Sequence, residues 1–583
     1  MVRKNIISVS LVALSCIAVV VACNKDFLEQ DTTGLLTEQQ AQSKKGADQF
    51  LIGSYAALKG IGWEGGGSNW VYGSIVGGEA NKGSDAGDQA DIVPIQQYVG
   101  LPVNNYFNVK WRALYEGIAR TNATIRITNN LSASDISDAD KKQILAEARF
   151  LRGFYHFEAI KMWKNVPFID ETVNVSNART VSNEDLAGTW TKTLDDLKFA
   201  YENLVAKPSA RGRINNWGAK AMYAKALMFR NGTGDIAAAR GLLTDVIDNG
   251  TNSEGTKYNL APGFHDLFNA DRENAAEVRA ESVFAYEASV NDGAGGNNAN
   301  YDQVLNFPYN GGPGGCCGFF QPSFEFVNSF RTKDGLPLLD GSYNTGANQI
   351  KNDQGIESTV DFTPDAGPVD PRLDWTVGRR GVPYLDWGPH PGKAWIRDQG
   401  NGGPYAPKKN AYYRSQAGKL TDGTNWASGL TAINYKIMRF ADVLLLAAEC
   451  EMNGGSPAKA LEYVNRVRTR AAVQVVPGAG VTYDVKPYPA GSFADATFAT
   501  NAIRMERKLE LGMEGHRFFD LVRWGVADVE LNKFLTYEKA KLPAAYGTAS
   551  FTKGKNEVFP IPQPQIDLHT SGGQSYLKQN PNY

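Results

Sequence analysis

Cysteine and histidine are scarce in this chain, with five of each among 583 residues. Beyond the N-terminal segment only Cys316, Cys317 and Cys450 remain, and none has a further cysteine or histidine at the spacing of a zinc site. Cys450 lies in a strongly apolar helical stretch, where we expect a small core side chain. The sequence therefore predicts no metal site and no cofactor.

The signatures of several enzyme classes are also missing. No H-E-x-x-H and no G-x-S-x-G occurs, and no Gly-Lys pair is followed by the Ser or Thr of a phosphate-binding loop. Residues 60–65 fit G-x-G-x-x-G, but they follow a predicted helix rather than a strand, which argues against a dinucleotide site. These absences predict a protein that is not an enzyme and has no catalytic residues.

Neither sign of charge is in clear excess, because 60 Lys and Arg oppose 62 Asp and Glu. Binding to nucleic acid needs a clustered basic patch, so no nucleic-acid partner is predicted. Beyond the N-terminus no apolar run approaches the length of a membrane span. Glycine and aromatic residues are plentiful instead, a composition suited to ordered loops that present rings to flat apolar ligand faces.

The N-terminal segment has the three-part form of a secretory leader. Arg3 and Lys4 give it a positive start, and an apolar run ends in Val20-Val21-Ala22-Cys23. Small residues before a cysteine resemble the bacterial lipobox, so we expect residues 1–22 to be a lipoprotein signal peptide and Cys23 to be lipidated. Acyl chains would then anchor the mature protein to a membrane. The alternative is an ordinary signal peptide with a chance cysteine.

Helical periodicity dominates residues 40–250 and returns at 435–535. Residues 143–163, 184–204, 214–229 and 236–247 are predicted helices, and 214–247 is typical of a tetratricopeptide-like hairpin. Between them, residues 251–434 are rich in Gly, Pro, Asn and aromatics and have no long run of apolar residues at helical spacing. Such a segment is typical of long loops that carry function. We predict an all-α fold of stacked tetratricopeptide-like hairpins with large irregular loop insertions on one face, forming a single domain over 23–583.

The second helical region is predicted to begin at Tyr435. A 4-3-4 spacing of apolar residues follows, and Gly454-Gly455 ends that helix. Ser456 is a good N-cap and Pro457 suits the first turn of the next helix. The pattern helix, tight turn, helix predicts another hairpin.

Five stretches in this order resemble one family, the SusD/RagB outer-membrane lipoproteins of the Bacteroidetes. They are residues 23–28, 147–152 leading to Trp163, 435–449, 503–525, and 559–563 with 580–583. The resemblance covers essentially the whole chain. It implies a helical binding protein on the cell exterior, anchored in the outer membrane, that captures an oligosaccharide, or sometimes a peptide, and passes it to a TonB-dependent, SusC-like transporter.

The loop aromatics and nearby charged residues are the candidate ligand contacts. Sugars offer apolar C–H faces that stack on rings and hydroxyls that pair with carboxylates and guanidinium groups. The candidates are Trp70, Asp85, Asp88, Cys316, Cys317, Phe320, Arg379, Arg380, Tyr384, Trp387 and Tyr405, with Trp63 and Trp395 in the same loops. We expect about half of the rings to pack the loops onto the helices instead. Asp85, Asp88 and Asp91 could alternatively coordinate calcium, although the full ligand pattern is missing.

The adjacent pair Cys316-Cys317 is predicted to form a disulfide, since the chain is exported to an oxidising space. Flanking glycines supply the backbone freedom that such a ring needs. The closed pair would form a rigid apolar platform beside Phe320 for a sugar face. The alternative is two reduced, packed thiols.

The acidic and basic residues of 503–525 allow two interpretations. Glu506, Glu510, Glu514 and Asp520 are predicted to share one helix with several arginines. They could hydrolyse a glycan as paired carboxylates, which would make the protein a secreted glycoside hydrolase. We favour a helix tied into the fold by ion pairs. The other open alternative is a protein of the same fold that binds peptides.

Overall fold

The computed structural model describes residues 37–60, 68–174, 177–424 and 429–583. The predicted signal peptide, Cys23 and Trp63 lie outside these ranges. No helix of the described residues has the length and apolar character needed to cross a membrane.

Long α-helices form the two regions in which the sequence predicts them. The first region contains the short helix α2 Ile92–Gln96 and the longer helices α1 Lys44–Ala56, α3 Asn105–Asn130, α4 Asp138–Trp163, α5 Leu186–Asn203, α6 Asn216–Arg230 and α7 Asp235–Asn249. Short helices follow: α8 Ala276–Arg279, α9 Phe324–Asn328, α10 Arg372–Thr376 and α11 Gln399–Gly402. The second region contains α12 Phe440–Met452, α13 Pro457–Ala471, α14 Ala496–Leu511, α15 Arg517–Arg523, α16 Ala527–Lys541, α17 Pro543–Tyr546 and α18 Gln563–Leu568.

The strands of the described residues are short and form two-stranded antiparallel sheets. They are β1 Ala80–Gly83, β2 Ser282–Tyr286, β3 Phe319–Pro322, β4 Thr332–Lys333, β5 Leu336–Pro337, β6 Val377–Gly378, β7 Ala406–Pro407, β8 Thr421–Asp422, β9 Leu430–Thr431, β10 Tyr435–Arg439, β11 Thr570–Ser571 and β12 Gln574–Ser575. β1 pairs with β3, β2 with β10, and β6 with β7. The first of these pairs brings the loop after β1 next to the Cys316-Cys317 segment.

Side-chain caps explain where the long helices begin. Ser137 accepts a hydrogen bond from the backbone of Asp140 at the start of α4, and Asn215 accepts one from Gly218 at the start of α6. Ser456 caps α13 and Pro457 occupies its first turn, as predicted. Such caps pair backbone N–H groups that a helix start leaves open.

The helices stack in chain order. α3 packs on α4, α4 on α5, α5 on α6 and α6 on α7, and α7 then packs on α12, which contacts α13 and α14. Buried alanines of α6, among them Ala221 and Ala224, allow close approach. The second helical region therefore continues the stack of the first. The long loop-rich segment is inserted in the chain between α7 and α12. The predicted all-α architecture with loop insertions is confirmed.

Two local predictions are wrong. Residues 435–439 form strand β10 rather than the start of a helix, because they pair with β2, and the side chain of Arg439 is held by buried carboxylates. Residues 503–525 form two helices, α14 and α15, with a break at 512–516. Met513 and Gly515 have positive φ angles, a conformation that ends a helix.

Candidate functional site

Besides Cys317, six of the predicted ligand contacts are buried: Trp70, Phe320, Arg379, Arg380, Tyr384 and Tyr405. The rings of Trp70 and Phe320 pack edge to face with centroids 5.6 Å apart. The Tyr384 hydroxyl donates to the carbonyl of Pro407. Because protein covers their faces in this structure, these side chains hold the loop region together and are not available to a ligand.

The two arginines of this set are committed to neighbours on their own loop. Arg379 donates to both carboxylate oxygens of Asp374, at 2.5 and 2.8 Å. Arg380 donates to the carbonyls of Ser358 and Val360. Withdrawing a buried guanidinium from such partners is strongly unfavourable.

The remaining predicted contacts lie at the surface. Asp85, Asp88, Cys316 and Trp387 are partly exposed, while Cys317 is buried. Contacts connect them to three partly or fully exposed residues of the same region. We call the whole set the surface strip: Asp85, Asp88, Tyr309, Cys316, Trp387, Trp395 and Arg397.

One end of the surface strip is an ion-pair cluster. The Arg397 guanidinium donates to Asp88 Oδ2 at 2.6 Å and lies 2.6 Å from Asp85 Oδ2. It also donates to the Ser84 hydroxyl at 2.9 Å and lies 5.3 Å from the ring centroid of Tyr309. The three charged side chains are each about one-third exposed, so a ligand can reach them from solvent.

The loop that carries Asp85 and Asp88 is supported from beneath by Lys82. The buried Lys82 ammonium donates to the backbone carbonyls of both aspartates, at 2.6 Å each. Burial lowers the pKa of Lys82 to about 8. The backbone N–H of Asp88 and the Arg397 guanidinium hold the pKa of Asp85 below its ordinary value. Both aspartates are therefore fixed as acceptors with a defined orientation.

Cys316 and Cys317 form a disulfide in the middle of the surface strip. The Gly314 N–H donates to the Tyr412 hydroxyl at 2.8 Å, and the Gly318 N–H donates to the Phe307 carbonyl at 2.9 Å. The segment is thus held on both sides of the disulfide. The predicted pairing is present, with Cys316 partly exposed and Cys317 buried.

Gly318 joins the disulfide to the ion-pair cluster. Its carbonyl accepts from the backbone N–H of Ser84 at 2.5 Å. Its φ is +77°, and an added Cβ would lie 3.3 Å from Tyr309 Cβ and 3.7 Å from Arg397 Cβ. A side chain at this position would be strained and would press on both neighbours, which explains the need for glycine.

Trp387 and Trp395 complete the surface strip. The Trp387 indole donates to the Tyr412 carbonyl at 2.9 Å, and its ring meets the Tyr412 ring edge to face. The Trp395 carbonyl accepts from the Tyr309 backbone N–H at 2.9 Å. The Trp395 ring packs edge to face on Tyr384 and His390, so both indoles are held and a ligand would meet rings whose orientation is already set.

Tyr309, Tyr412 and Arg397 were missed by the sequence analysis. Tyr309 lies in a Gly-rich stretch seven residues before Cys316, which is the local signal that could have found it. Arg397 is separated from Asp85 and Asp88 by about 310 residues, so only the tertiary structure brings these charges together.

A cavity of about 850 Å³ lies elsewhere, lined by α4, α5, α6 and α15. It is mostly apolar, with Trp190, Phe229 and Phe519 in its wall, and it shares no residue with the surface strip. Three of the cations that line it are already paired: Lys161 with Glu158, Arg230 with Asp235 and Arg523 with Glu449. We place the candidate site at the surface strip because rings and charged hydrogen-bonding groups converge there.

The carboxylates of residues 503–525 lie in a buried ion-pair network. Glu510 is fully buried and contacts Arg372, Arg439 and Arg470, and Glu506 is bonded to Arg372 and Arg468. A glycosidase pair must flank a bound sugar, but Glu506 and Glu510 have no exposed surface, and the side chains of Glu514 and Asp520 are almost fully covered by their ion-pair partners. The geometry favours the structural interpretation. Among the described residues, no group of three or more His, Cys, Asp or Glu has the arrangement needed to hold a metal ion.

The stacked hairpins with one large insertion define a helical-repeat protein. A family model described as the SusD family matches residues 280–583, more than half of the chain. A second, described as starch-binding associating with outer membrane, matches residues 26–228. The chain therefore belongs to the SusD family, and the resemblance found in the sequence is confirmed.

Relatives and solved structures of the same family are similar to this chain over most of its length. SusD-like protein P25 of Formosa agariphila is 26% identical over 560 residues, covering 90% of each protein. A SusD homolog from Bacteroides thetaiotaomicron has a TM-score of 0.68 and 22% identity, covering 94% of this chain and 99% of that one. Surface glycan-binding protein A from Bacteroides thetaiotaomicron, solved with laminarihexaose, has a TM-score of 0.62 and 20% identity, covering 92% and 99%. At these identities the structural likeness establishes the fold alone.

Proposed function

We propose that this protein is a lipid-anchored binding protein on the exterior of the outer membrane that captures an oligosaccharide at the surface strip. The observation that carries the proposal is the convergence of partly exposed rings with the ion-pair cluster of Asp85, Asp88 and Arg397. Membership of the SusD family supports it, as does the glycan named for the structural neighbour described above.

The chemistry of the surface strip suits a sugar chain. The C–H face of a pyranose ring is apolar and stacks on aromatic side chains, here Tyr309, Trp387 and Trp395. Hydrogen bonds from hydroxyl groups to a carboxylate are stronger than those to neutral acceptors, and Asp85 and Asp88 offer such acceptors. The fixed orientation of these groups reduces the entropy lost on binding.

We further propose that binding occurs without turnover. No catalytic motif occurs in the sequence, and the carboxylates of the surface strip are held by one guanidinium rather than placed on opposite sides of a bound sugar. The carboxylates of residues 503–525 that could form a pair are buried.

The test uses the mature chain with Cys23→Ala, purified without lipid, and a panel of oligosaccharides and peptides. We expect calorimetry to detect an oligosaccharide ligand and chromatography to recover that ligand intact. Shorter sugars released by the pure protein would favour the hydrolase alternative. Binding confined to peptides would favour the peptide alternative instead.

A binding protein anchored by lipid needs a second protein to move its ligand across the membrane. We propose a TonB-dependent, SusC-like barrel as that partner. A stable complex of this kind typically buries about 1,200–2,000 Å² or more. A C-terminally tagged protein should bring down one large outer-membrane barrel in near-equal amount from mild detergent. Recovery of the tagged protein alone, with uptake unchanged after deletion of the adjacent transporter gene, would contradict this partnership.

A further inference from the structure

We infer that the surface strip selects uncharged glycans and disfavours uronate-rich or sulfated ones, through the pairing of Arg397 with Asp85 and Asp88. The inference rests on the proposed function, because it names the class of sugar for the same site.

The cation at the centre of the ion-pair cluster is already neutralised. Arg397 is shared between two carboxylates at 2.6 Å each: Nη1 contacts Asp88 and also donates to the Ser84 hydroxyl, and Nη2 contacts Asp85. Recognition of an anionic sugar uses a guanidinium that can offer a bidentate fork to the ligand. The terminal Nη1–Nη2 fork of Arg397 is occupied by the two aspartates, so an anionic group could use that fork only by displacing them.

Lys82 does not supply a substitute. Its side chain is buried, and its ammonium is directed to the carbonyls of Asp85 and Asp88 rather than to solvent. The exposed members of the cluster are therefore two carboxylates and one guanidinium. The Lys82 charge beneath them brings the net charge of the four groups to about zero, so this end of the strip offers an anionic ligand no net attraction within a Debye length.

The other end of the surface strip carries charges of both signs, but there the carboxylate is bound by backbone N–H groups rather than by the guanidinium. The Arg414 guanidinium lies 5.9 Å from the ring centroid of Trp387. The Asp386 carboxylate accepts from the backbone N–H groups of Arg414 and Ser415, so one acid and one base occupy the same turn. Lys393, near Trp395 in sequence, is paired with Glu357.

The same arrangement favours neutral hydroxyl groups. Among the described residues no donor reaches Asp88 Oδ1, while Oδ2 accepts from Ser84 and Arg397. A hydroxyl pair of a neutral sugar could donate to this open oxygen and accept from a guanidinium N–H beside it. Such a sugar would bind without breaking the ion pairs between Arg397 and the two aspartates. Its hydrogen bonds could then contribute net affinity, because no charged group loses its partner.

The experiment compares the mature Cys23→Ala chain in native affinity gels that contain either neutral or anionic polysaccharide. Laminarin, starch and galactomannan are the neutral probes, and alginate, polygalacturonate and carrageenan are the anionic ones. We expect a neutral polymer to retard the protein, with affinity at least about tenfold above that for any polyanion. Retardation by a polyanion that equals or exceeds retardation by every neutral polymer would overturn the inference and leave glycan binding standing. Retardation by none would overturn glycan binding itself and the inference with it.

A charge variant tests the assigned residues directly. Asp85→Asn/Asp88→Asn leaves Arg397 without its carboxylates while nearly preserving side-chain volume. We expect this variant to lose about tenfold or more in affinity for the neutral polymer and to gain polyanion binding that weakens as salt rises. The control is Asp528→Asn, a partly exposed aspartate of α16 paired with Lys553, which should change neither affinity. If the double variant melts normally yet keeps wild-type selectivity, the assignment to this cluster is wrong.

Discussion

Glu510→Gln is expected to lower the free energy of unfolding by about 3–5 kcal/mol, the usual cost of breaking a buried ion pair from one side. The Glu510 carboxylate is fully buried, with Arg439 at 2.6 Å, Arg372 at 2.8 Å and Arg470 in contact. Glutamine keeps the shape but not the charge, so three buried guanidinium groups lose a shared counter-charge. Urea unfolding followed by circular dichroism measures the change.

The matched control is Glu116→Gln. Glu116 pairs with Arg120 on the exposed face of α3, with both side chains about half exposed. Such a pair contributes about 0.2–1 kcal/mol, so the control should unfold nearly as the wild type does. Equal losses in the two variants would show that the buried network does not stabilise the fold as described.

The same network predicts a pH dependence. Burial alone would raise the pKa of Glu510, but Arg470, Arg439 and Arg372 outweigh it and hold the pKa well below its ordinary value. A carboxylate of this kind contributes stability that is fully present above its unfolded pKa of about 4.3 and is lost as pH falls toward the folded value. The stability gap between wild type and Glu510→Gln should therefore narrow below about pH 4.3. A gap that widens there would contradict the assignment.

Cys23→Ala is expected to move the protein from the outer-membrane fraction to the soluble fraction almost completely. Each buried methylene of an acyl chain contributes about 0.8 kcal/mol, so loss of all chains removes the anchor. The neighbouring substitution Asn24→Ala keeps the cysteine and serves as the control. Immunoblots of separated membrane and soluble fractions measure the distribution. If the Cys23→Ala protein remains in the membrane fraction, as the Asn24→Ala control is expected to, the lipid anchor is not at Cys23.

Helix periodicity and caps predicted most of the scaffold, because they depend on residues close in sequence. The predicted helix 214–229 agrees with α6, and Ser456 and Pro457 correctly mark the start of α13. The strand at 435–439 was missed because its partner, β2, lies about 150 residues earlier. Local apolar spacing cannot report a pairing at that distance.

The candidate site was predicted less completely for the same reason. Aromatic and Gly-rich loops pointed to the region in which we propose the site, and Cys316, Asp85, Asp88 and Trp387 lie on the surface strip. Composition could not distinguish a ring that faces solvent from one that is packed, so Tyr384 was chosen and Tyr309 was not. Burial of loop aromatics depends on contacts between distant segments, such as β1 with β3.

The most direct test of glycan capture at the surface strip is the affinity of single ring variants measured by calorimetry. Tyr309→Ala and Trp387→Ala should each weaken oligosaccharide binding by about tenfold or more, about 1.4 kcal/mol, because each removes a stacking face. Tyr201→Ala removes a partly exposed ring that stacks on Tyr223 in the helical scaffold and should bind as the wild type does. Wild-type affinity in both strip variants, with melting temperatures unchanged, would contradict the proposed site.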